Sequence, residues 1–328
     1  MSARGHGALR FSRNPDYDFE IRTVIGHAAA GAAEIGEVLA ATAQVPAHDH
    51  QAWFSAWNEL ADRASRLADA AAAAGHRFSA SRASLRAAVY SGVAVNAMSA
   101  LDESESGEEG VVAVFRRHRA AWDAFVALGP TRAERVDIPY ELGSLPGYLF
   151  RPAPEQATGA TLVAVNGSDG SLAALWASCA QPALARGYNV LLFDGPGQQS
   201  QLFERNVPFR PDWEHVLTPV YDFLSGRHGV DPSRICLYGI SQGGYWVARA
   251  IAFEHRFAAA VTDPGIVDVS TSWIDQLPES LVKLLDRGKR EAFDREMAFG
   301  MRLAPASART WRFRARPYGA DGYAATID

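Results

Sequence analysis

A chain of 328 residues, of which 48% are hydrophobic, can bury a large core and still carry an accessory region. Its formal net charge of −5 at pH 7 offers no basic surface of the kind that binds nucleic acid. The two cysteines, Cys179 and Cys236, cannot build a disulfide framework and lack the spacing of metal ligands, so we expect no metal site.

The first seven residues are polar and contain no apolar run, which indicates that there is no signal peptide. No stretch of eighteen consecutive apolar residues occurs, and this argues against a membrane span. We therefore expect a cytoplasmic protein without nucleic-acid or membrane partners. The sequence leaves open whether the chain forms a homodimer.

Residues from about Tyr17 to Leu128 have the spacing of amphipathic helices. A long helix is predicted from Ala52 to Ala74, and Gly75 suits its C-cap. The apolar face of this helix is expected to carry Trp53, Trp57, Leu60, Ala64 and Leu67.

The next helix is predicted to begin at Ser79 or Ser81, since either side chain can act as an N-cap. A further helix ends near Gly129 and Pro130, and one face of it carries Phe115, His118, Trp122 and Phe125. Residues 101–110 are rich in Asp, Glu, Ser and Gly, and we expect a mobile acidic loop there. Together these patterns predict a helical N-terminal domain over residues 1–130.

After Pro130, short apolar strands alternate with helices. The expected strands are 135–141, 147–151, 160–165, 189–193, 235–239 and 257–261, with a turn near Leu145-Pro146-Gly147 between the first two. Apolar strands separated by helices predict a mostly parallel sheet, and hence an α/β core over residues 131–269. In such sheets the chemistry lies at the carboxyl ends of the strands.

Residues 270–328 become mostly helical again. The apolar residues Leu281, Leu284 and Leu285 share one predicted helix, and Phe293, Met297 and Met301 share another. We expect a helical lid that is inserted after the sixth strand.

The segment Gly239-Ile240-Ser241-Gln242-Gly243 lies between a predicted strand and a predicted helix. It has the sequence of a nucleophile elbow, a sharp turn at which side chains in the flanking positions would clash. A bare G-x-S-x-G is a weak signal, but its position between a strand and a helix makes it specific. We predict Ser241 as a nucleophile, with the N–H of Gln242 donating to an oxyanion at the positive end of the helix.

A second oxyanion donor is expected in the loop after the strand 160–165. The loop reads Asn166-Gly167-Ser168-Asp169-Gly170, and the N–H of Ser168 is our candidate. Asp169 is alternatively the N-cap of the following helix, and the whole segment also consists of good turn residues.

Four motifs resemble those of one group of α/β hydrolases. They are Asn166 to Gly170, Asp194-Gly195-Pro196-Gly197-Gln198, Arg210-Pro211-Asp212-Trp213-Glu214, and the elbow extended to Gly244. In this order they are similar to the α/β hydrolases related to 2,6-dihydroxypseudooxynicotine hydrolase and to the fungal polyketide-shortening hydrolase of pigment synthesis. Many bacterial relatives are labelled dipeptidyl aminopeptidase-like. The resemblance extends from about residue 50 onward.

The resemblance implies an α/β-hydrolase fold and hydrolysis of a carbon–carbon bond next to a ketone in an aromatic or polyketide-like small molecule. It implies no metal and no organic cofactor. The helical N-terminal region would pack over the core and help to enclose the substrate. Candidate substrate contacts are Gly167, Asp169, Trp246, Trp273 and His118; ordinary core packing explains the two tryptophans and the histidine equally well.

The expected triad partners of Ser241 are harder to find. In this fold the acid and the histidine follow the serine, but the only later histidine is His255. A continuing helix would place His255 about 20 Å from Ser241, too far for a general base. Asp263 and Asp268 are candidates for the acid, and the resemblance predicts a further C-terminal portion, with strands that this chain lacks.

Three functions therefore stay open. The first is a serine hydrolase that cleaves an aromatic ketone or an ester. The second is a truncated or catalytically inactive homologue that acts as a binding protein. The third is an aminopeptidase-like hydrolase.

Overall fold

A computed structural model describes residues 9–102, 107–141 and 143–328 in two compact units. One unit comprises the chain up to Met98 together with Arg116–Gly129, and the other comprises Ser99–Phe115 and Pro130–Asp328. The polar start of the chain and part of the acidic loop lie outside the described residues.

The first unit is helical. Its helices are α1 (Pro15–Gly26), α2 (Ile35–Thr42), α3 (His50–Ala73), α4 (Arg77–Ala97) and most of α5 (Glu108–Leu128). The periodicity of α3 is largely confirmed, because Trp53, Trp57, Leu60 and Ala64 are buried. The prediction that Leu67 lies on this buried face is wrong: 51% of the residue is exposed, because the face continues through Ala68 instead.

The predicted serine caps of α4 are also wrong. The helix already begins at Arg77, so Ser79 and Ser81 lie inside it. Ser81 instead donates from its hydroxyl to the carbonyl of Phe125 on α5 at 3.0 Å, and it is buried there. A serine that finds a tertiary partner can lie within a helix despite its preference for caps.

The second unit is built on a six-stranded sheet in the described part of the chain. The strands are β1 (Arg132–Tyr140), β2 (Gly143–Arg151), β3 (Thr161–Val165), β4 (Asn189–Phe193), β5 (Ile235–Ile240) and β6 (Ala259–Asp263). Their order is β1-β2-β4-β3-β5-β6; β2 is antiparallel to both of its neighbours, and the remaining pairings are parallel. The carboxyl ends of β4, β3 and β5 therefore meet at one edge of the sheet.

The first hairpin turns earlier than its sequence predicts, because β1 ends at Tyr140 and β2 already begins at Gly143. Pro146 lies within β2, opposite Asp137 of β1, although the turn was expected at this proline. The pairing of β2 with β4 begins only at Gly147, and the carbonyl of Pro146 accepts the N–H of Asp194 at 3.0 Å. A proline is tolerated at the margin of a ladder, where its missing N–H is not needed.

Helices cover the sheet. After β3 come α6 (Leu172–Leu175), a π-helical segment (Trp176–Ala180) and α7 (Gln181–Leu184); then follow α8 (Gln199–Phe203), α9 (Glu214–Ser225) and α10 (Gln242–Ile251). The inner faces of α9 and α10 join the strands in one core, in which Trp213 and Trp246 stack with their ring centroids 4.5 Å apart. Arg249 of α10 also pairs with Glu214 of α9 at 3.0 Å. These contacts fix α10 against the sheet.

A helical lid follows β6, as expected. It consists of α11 (Thr271–Ile274), α12 (Glu279–Asp286), α13 (Arg290–Leu303), α14 (Pro305–Ala315) and α15 (Tyr323–Ile327). Its own small core contains Phe293, Met297, Ala324 and Ile327.

Candidate active site

Ser241 lies at the carboxyl end of β5, directly before α10, and is exposed. Its backbone angles, φ 55° and ψ −127°, are uncommon for a residue with a side chain. The surroundings hold this conformation: its N–H donates to the carbonyl of Asp263 at 2.7 Å, and its carbonyl accepts the N–H of Gly244 at 2.9 Å. The local geometry is thus that of a strained strand-to-helix turn that presents a hydroxyl to solvent.

The glycines of the elbow are required by close packing. A Cβ atom on Gly243 would lie 2.5 Å from the carbonyl oxygen of Val165 and 2.6 Å from that of Asn166. A Cβ atom on Gly239 would collide with the backbone of Gly243. The sequence reasoning that glycine is needed on both sides of the serine therefore has a direct structural basis.

The loop after β3 lies against the side chain of Ser241. A Cβ atom on Gly167 would be 2.8 Å from Cβ and 3.2 Å from Oγ of Ser241. The N–H of Gly167 donates to Oδ1 of Asn166 at 3.0 Å and is therefore already engaged. The next N–H along this loop is that of Ser168, the predicted oxyanion donor. Gln242 is the first residue of α10, so its N–H has no acceptor within the helix. The oxyanion roles of Ser168 and Gln242 remain predictions, and this arrangement is compatible with them.

Asp169 is exposed at the tip of the same loop. The alternative role as N-cap is wrong, because Ser171 fills that position and accepts the N–H of Ala174 at 3.2 Å. Burial raises the pKa of Tyr318 on the lid, and the charge of Asp169 makes a smaller contribution in the same direction.

The two candidate acids are engaged elsewhere. Asp263 accepts a hydrogen bond from the hydroxyl of Tyr238 at 2.8 Å through Oδ2. Asp268 accepts both the N–H and the hydroxyl of Ser270 through Oδ1, at 2.9 and 2.7 Å, as a residue that caps a turn does. Their role as triad acid remains a prediction, and these contacts give Asp268 a structural function of its own.

His255 lies away from the elbow. Helix α10 ends at Ile251 and His255 follows in the segment that leads into β6. Since β5 and β6 are parallel, the start of β6 lies at the opposite edge of the sheet from the end of β5. His118 is 1% exposed within the helical unit, and its Nδ1 bonds to the carbonyl of Ala88 at 2.7 Å. A ring so enclosed has no surface for a substrate, which corrects the prediction that His118 contacts one.

The two tryptophans differ. Trp246 is 1% exposed in the core, where it stacks on Trp213 and contacts Phe209, so it is a packing residue and the prediction of a pocket wall is wrong. Trp273 lies on the lid and is partly exposed, with its ring centroid 5.8 Å from that of Tyr318. The hydroxyl of Tyr318 in turn donates to Oε1 of Gln242 at 3.2 Å. Trp273 thus belongs to an aromatic group that reaches the residue next to Ser241.

Two residues near the elbow escaped the sequence reasoning. One is Tyr318, whose role nothing in its local sequence signals. The other is Gln198, 1% exposed, whose Nε2 donates to the carbonyls of Asn166 and Gly167 at 2.9 and 3.1 Å. A long amide side chain directly after Asp194-Gly195-Pro196-Gly197 is the signal that could have found it.

Comparisons with known proteins agree with this architecture. The model of the prolyl oligopeptidase family matches residues 176–297. Alpha/beta hydrolase xenA of Xenoacremonium sinensis is 33% identical over 294 residues, which cover 85% of this chain and 66% of that protein. The chain belongs to the α/β-hydrolase superfamily. Another relative of this α/β hydrolase is the 20-hydroxy-prefusarin hydrolase FUS2 of Gibberella moniliformis, 32% identical over 77% of this chain and 61% of that protein.

The crystal structure of 2,6-dihydroxy-pseudo-oxynicotine hydrolase has the same fold. It aligns with this α/β hydrolase at a TM-score of 0.64 and 21% identity, over 78% of this chain and 69% of that one. The chain spans 61% to 66% of the length of the two curated relatives. Among residues 9–102, 107–141 and 143–328, no helix is long and apolar enough to cross a membrane.

Proposed function

We propose that the protein is a serine-nucleophile hydrolase in which Ser241 attacks the carbonyl carbon of a small apolar substrate. The observation that carries this proposal is the exposed hydroxyl of Ser241 on a strained turn, with the N-terminus of α10 on one side and the loop of Gly167 on the other. A hydroxyl in this position can reach a carbonyl whose oxygen faces backbone N–H groups.

The N–H groups of Gln242 and Ser168 would hold the oxyanion that forms when Oγ bonds to the carbonyl carbon and gives up its proton. Collapse of this intermediate would break the bond to the leaving group, which takes up that proton, and would form an acyl-enzyme that water hydrolyses to a carboxylic acid and free Ser241. Each such donor is worth about 10²–10³ in rate in enzymes of this type. No residue of this chain is assigned as the general base.

For the substrate, we propose an aromatic or polyketide-like ketone, cleaved at the adjacent carbon–carbon bond, or an ester. The names of the curated relatives include a 20-hydroxy-prefusarin hydrolase. The hydroxyl of Tyr318 bonds to Gln242, and Trp273 packs edge-on against the ring of Tyr318; flat rings of this kind favour a flat apolar ligand.

Labelling with a fluorophosphonate probe tests the nucleophile. We expect labelling of the wild-type chain, complete loss in Ser241→Ala, and no change in His255→Ala, since His255 lies at the opposite edge of the sheet. Labelling that persists in Ser241→Ala would refute Ser241 as the nucleophile.

The position of His255 favours a second candidate, a binding protein that retains the elbow without hydrolysis. A well-folded wild-type chain that fails to react with the probe, yet binds aryl ketones in calorimetry, would support this candidate.

The match to the prolyl oligopeptidase family favours a third candidate function, a peptidase. Faster turnover of aminoacyl-arylamides than of aryl ketones or esters would support it.

A further inference from the structure

Gln198 uses all of its hydrogen-bonding groups on two loops at the carboxyl edge of the sheet. Its Oε1 accepts the N–H of Gly195 at 2.8 Å, and its Nε2 donates to the carbonyls of Asn166 and Gly167. The side chain is 1% exposed, so water cannot substitute for a lost partner. A buried amide that is fully satisfied in this way holds the two loops in one fixed relation.

The hydrogen bond from Gln198 to the carbonyl of Gly167 also fixes the direction in which the N–H of Ser168 points. This carbonyl and the N–H of Ser168 belong to one trans peptide unit, so the two groups point in opposite directions. The carbonyl points towards Gln198, which follows β4, and β3 lies between β4 and β5 in the sheet. The N–H of Ser168 is thereby turned away from β4 and towards the side on which Ser241 lies.

The same loop has no room to move towards the elbow. Gly167 lies against Cβ of Ser241, and the carbonyl of Asn166, which also accepts from Gln198, lies close to Gly243. Gln198 therefore holds the loop from the β4 side, while the elbow limits it from the β5 side. Loss of the amide would free both peptide units to rotate.

We propose that Gln198 is the positioning residue of the oxyanion donor Ser168, an inference that rests on the proposed function. Gln198 does not touch the substrate; it acts by orienting the peptide between Gly167 and Ser168. Removal of Gln198 should slow the attack of Ser241 on a carbonyl and leave substrate binding largely unchanged.

Gln198→Met removes the amide at similar volume, and Gln201→Met is the matched control. Gln201 is also a buried glutamine, 3% exposed, but its Nε2 donates to the carbonyl of Ser144, away from the elbow. For Gln198→Met we expect kcat and the rate of fluorophosphonate labelling to fall by about 10–100-fold with an unchanged KM. For Gln201→Met we expect both rates to stay within about threefold of the wild type.

Gln198→Glu adds a pH-dependent readout. An ionised carboxylate would face two carbonyl oxygens and repel them, whereas a protonated one regains a single donor. We expect the labelling rate of this variant, relative to the wild type, to recover as the pH is lowered.

Hydrogen exchange of the segment 166–170 separates the inference from the proposed function. We expect Gln198→Met to accelerate amide exchange there by about tenfold or more, and Gln201→Met to leave it unchanged. If the wild-type chain does not react with the probe, the proposed function fails, while the exchange result still decides whether Gln198 holds the loop. Equal exchange in the two methionine variants, or equal losses of kcat, would overturn the inference.

Discussion

Replacement of Ser241 by glycine should make the protein more stable. The angles φ 55° and ψ −127° are accessible to glycine but strained for any residue with a Cβ atom, at a cost of about 1–3 kcal/mol. Glycine loses roughly 0.5–1 kcal/mol more conformational freedom on folding than alanine. The difference predicts a net gain of about 1 kcal/mol in the free energy of unfolding, or roughly 2 °C in Tm for a chain of this size.

The comparison with Ser241→Ala isolates the backbone contribution. Alanine also removes the hydroxyl but keeps the Cβ atom, and with it the strain. We therefore expect Ser241→Gly to unfold at a higher temperature than Ser241→Ala in differential scanning calorimetry. Ser65, exposed in the middle of α3, provides the opposite case, because glycine there should be less stable than alanine by about 0.8–1 kcal/mol.

A Ser241→Gly variant that is no more stable than Ser241→Ala would refute the reasoning that the elbow stores strain. A second check uses Gly167→Ala, whose new Cβ atom would lie 2.8 Å from Cβ of Ser241. This substitution should destabilise the wild type by about 1–3 kcal/mol. It should cost clearly less in the Ser241→Gly background, because the opposing atom is then absent.

Three further predictions concern residues away from the hydroxyl. Burial lowers the pKa of His118 to about 4, so the unfolded chain binds a proton that the folded chain does not; stability should fall by about 3 kcal/mol as the pH drops from 6.5 towards 4. His118→Leu should reduce this slope in urea unfolding followed by circular dichroism, and a remainder should persist because burial also lowers the pKa of His27 to about 4. Trp246→Ala should lower the free energy of unfolding by about 3–5 kcal/mol, because Trp246 fills the core. The folded fraction of this variant should still react with the probe. A raised KM without destabilisation would contradict the assignment of Trp246 as a packing residue. Asp268→Ala should cost about 1 kcal/mol through the lost cap without changing the labelling rate, and a strong loss of labelling would instead restore Asp268 as a triad acid.

The fold was largely predictable from local signals. Apolar runs such as 189–193 become strands because burial on both faces selects them, and the prediction of β4 coincides with the structure. The errors arise where tertiary contacts decide. Pro146 continues a strand because a neighbouring ladder begins one residue later, and Ser81 lies within a helix because it bonds to α5.

The site was less predictable than the fold. The elbow is visible in the sequence because its glycines, Gly239 and Gly243, each lie two residues from Ser241. The contacts of Gln198 and Tyr318 join residues that are 31 to 76 positions apart in the chain, and no local pattern records such pairs. Trp246 shows the reverse problem, since a large aromatic residue next to the elbow could line a pocket or fill the core, and only its stacking on Trp213 distinguishes the two.

The stacked pair of Trp213 and Trp246 has a practical consequence. The electronic transitions of two indole rings that lie 4.5 Å apart and are inclined by only 10° couple to each other. The near-ultraviolet circular dichroism of the protein should therefore be sensitive to the distance between these rings. One ring belongs to the elbow helix α10 and the other immediately precedes α9. The protein therefore contains a built-in optical reporter on the seating of the elbow helix, which can be read in variants that have lost all chemical reactivity.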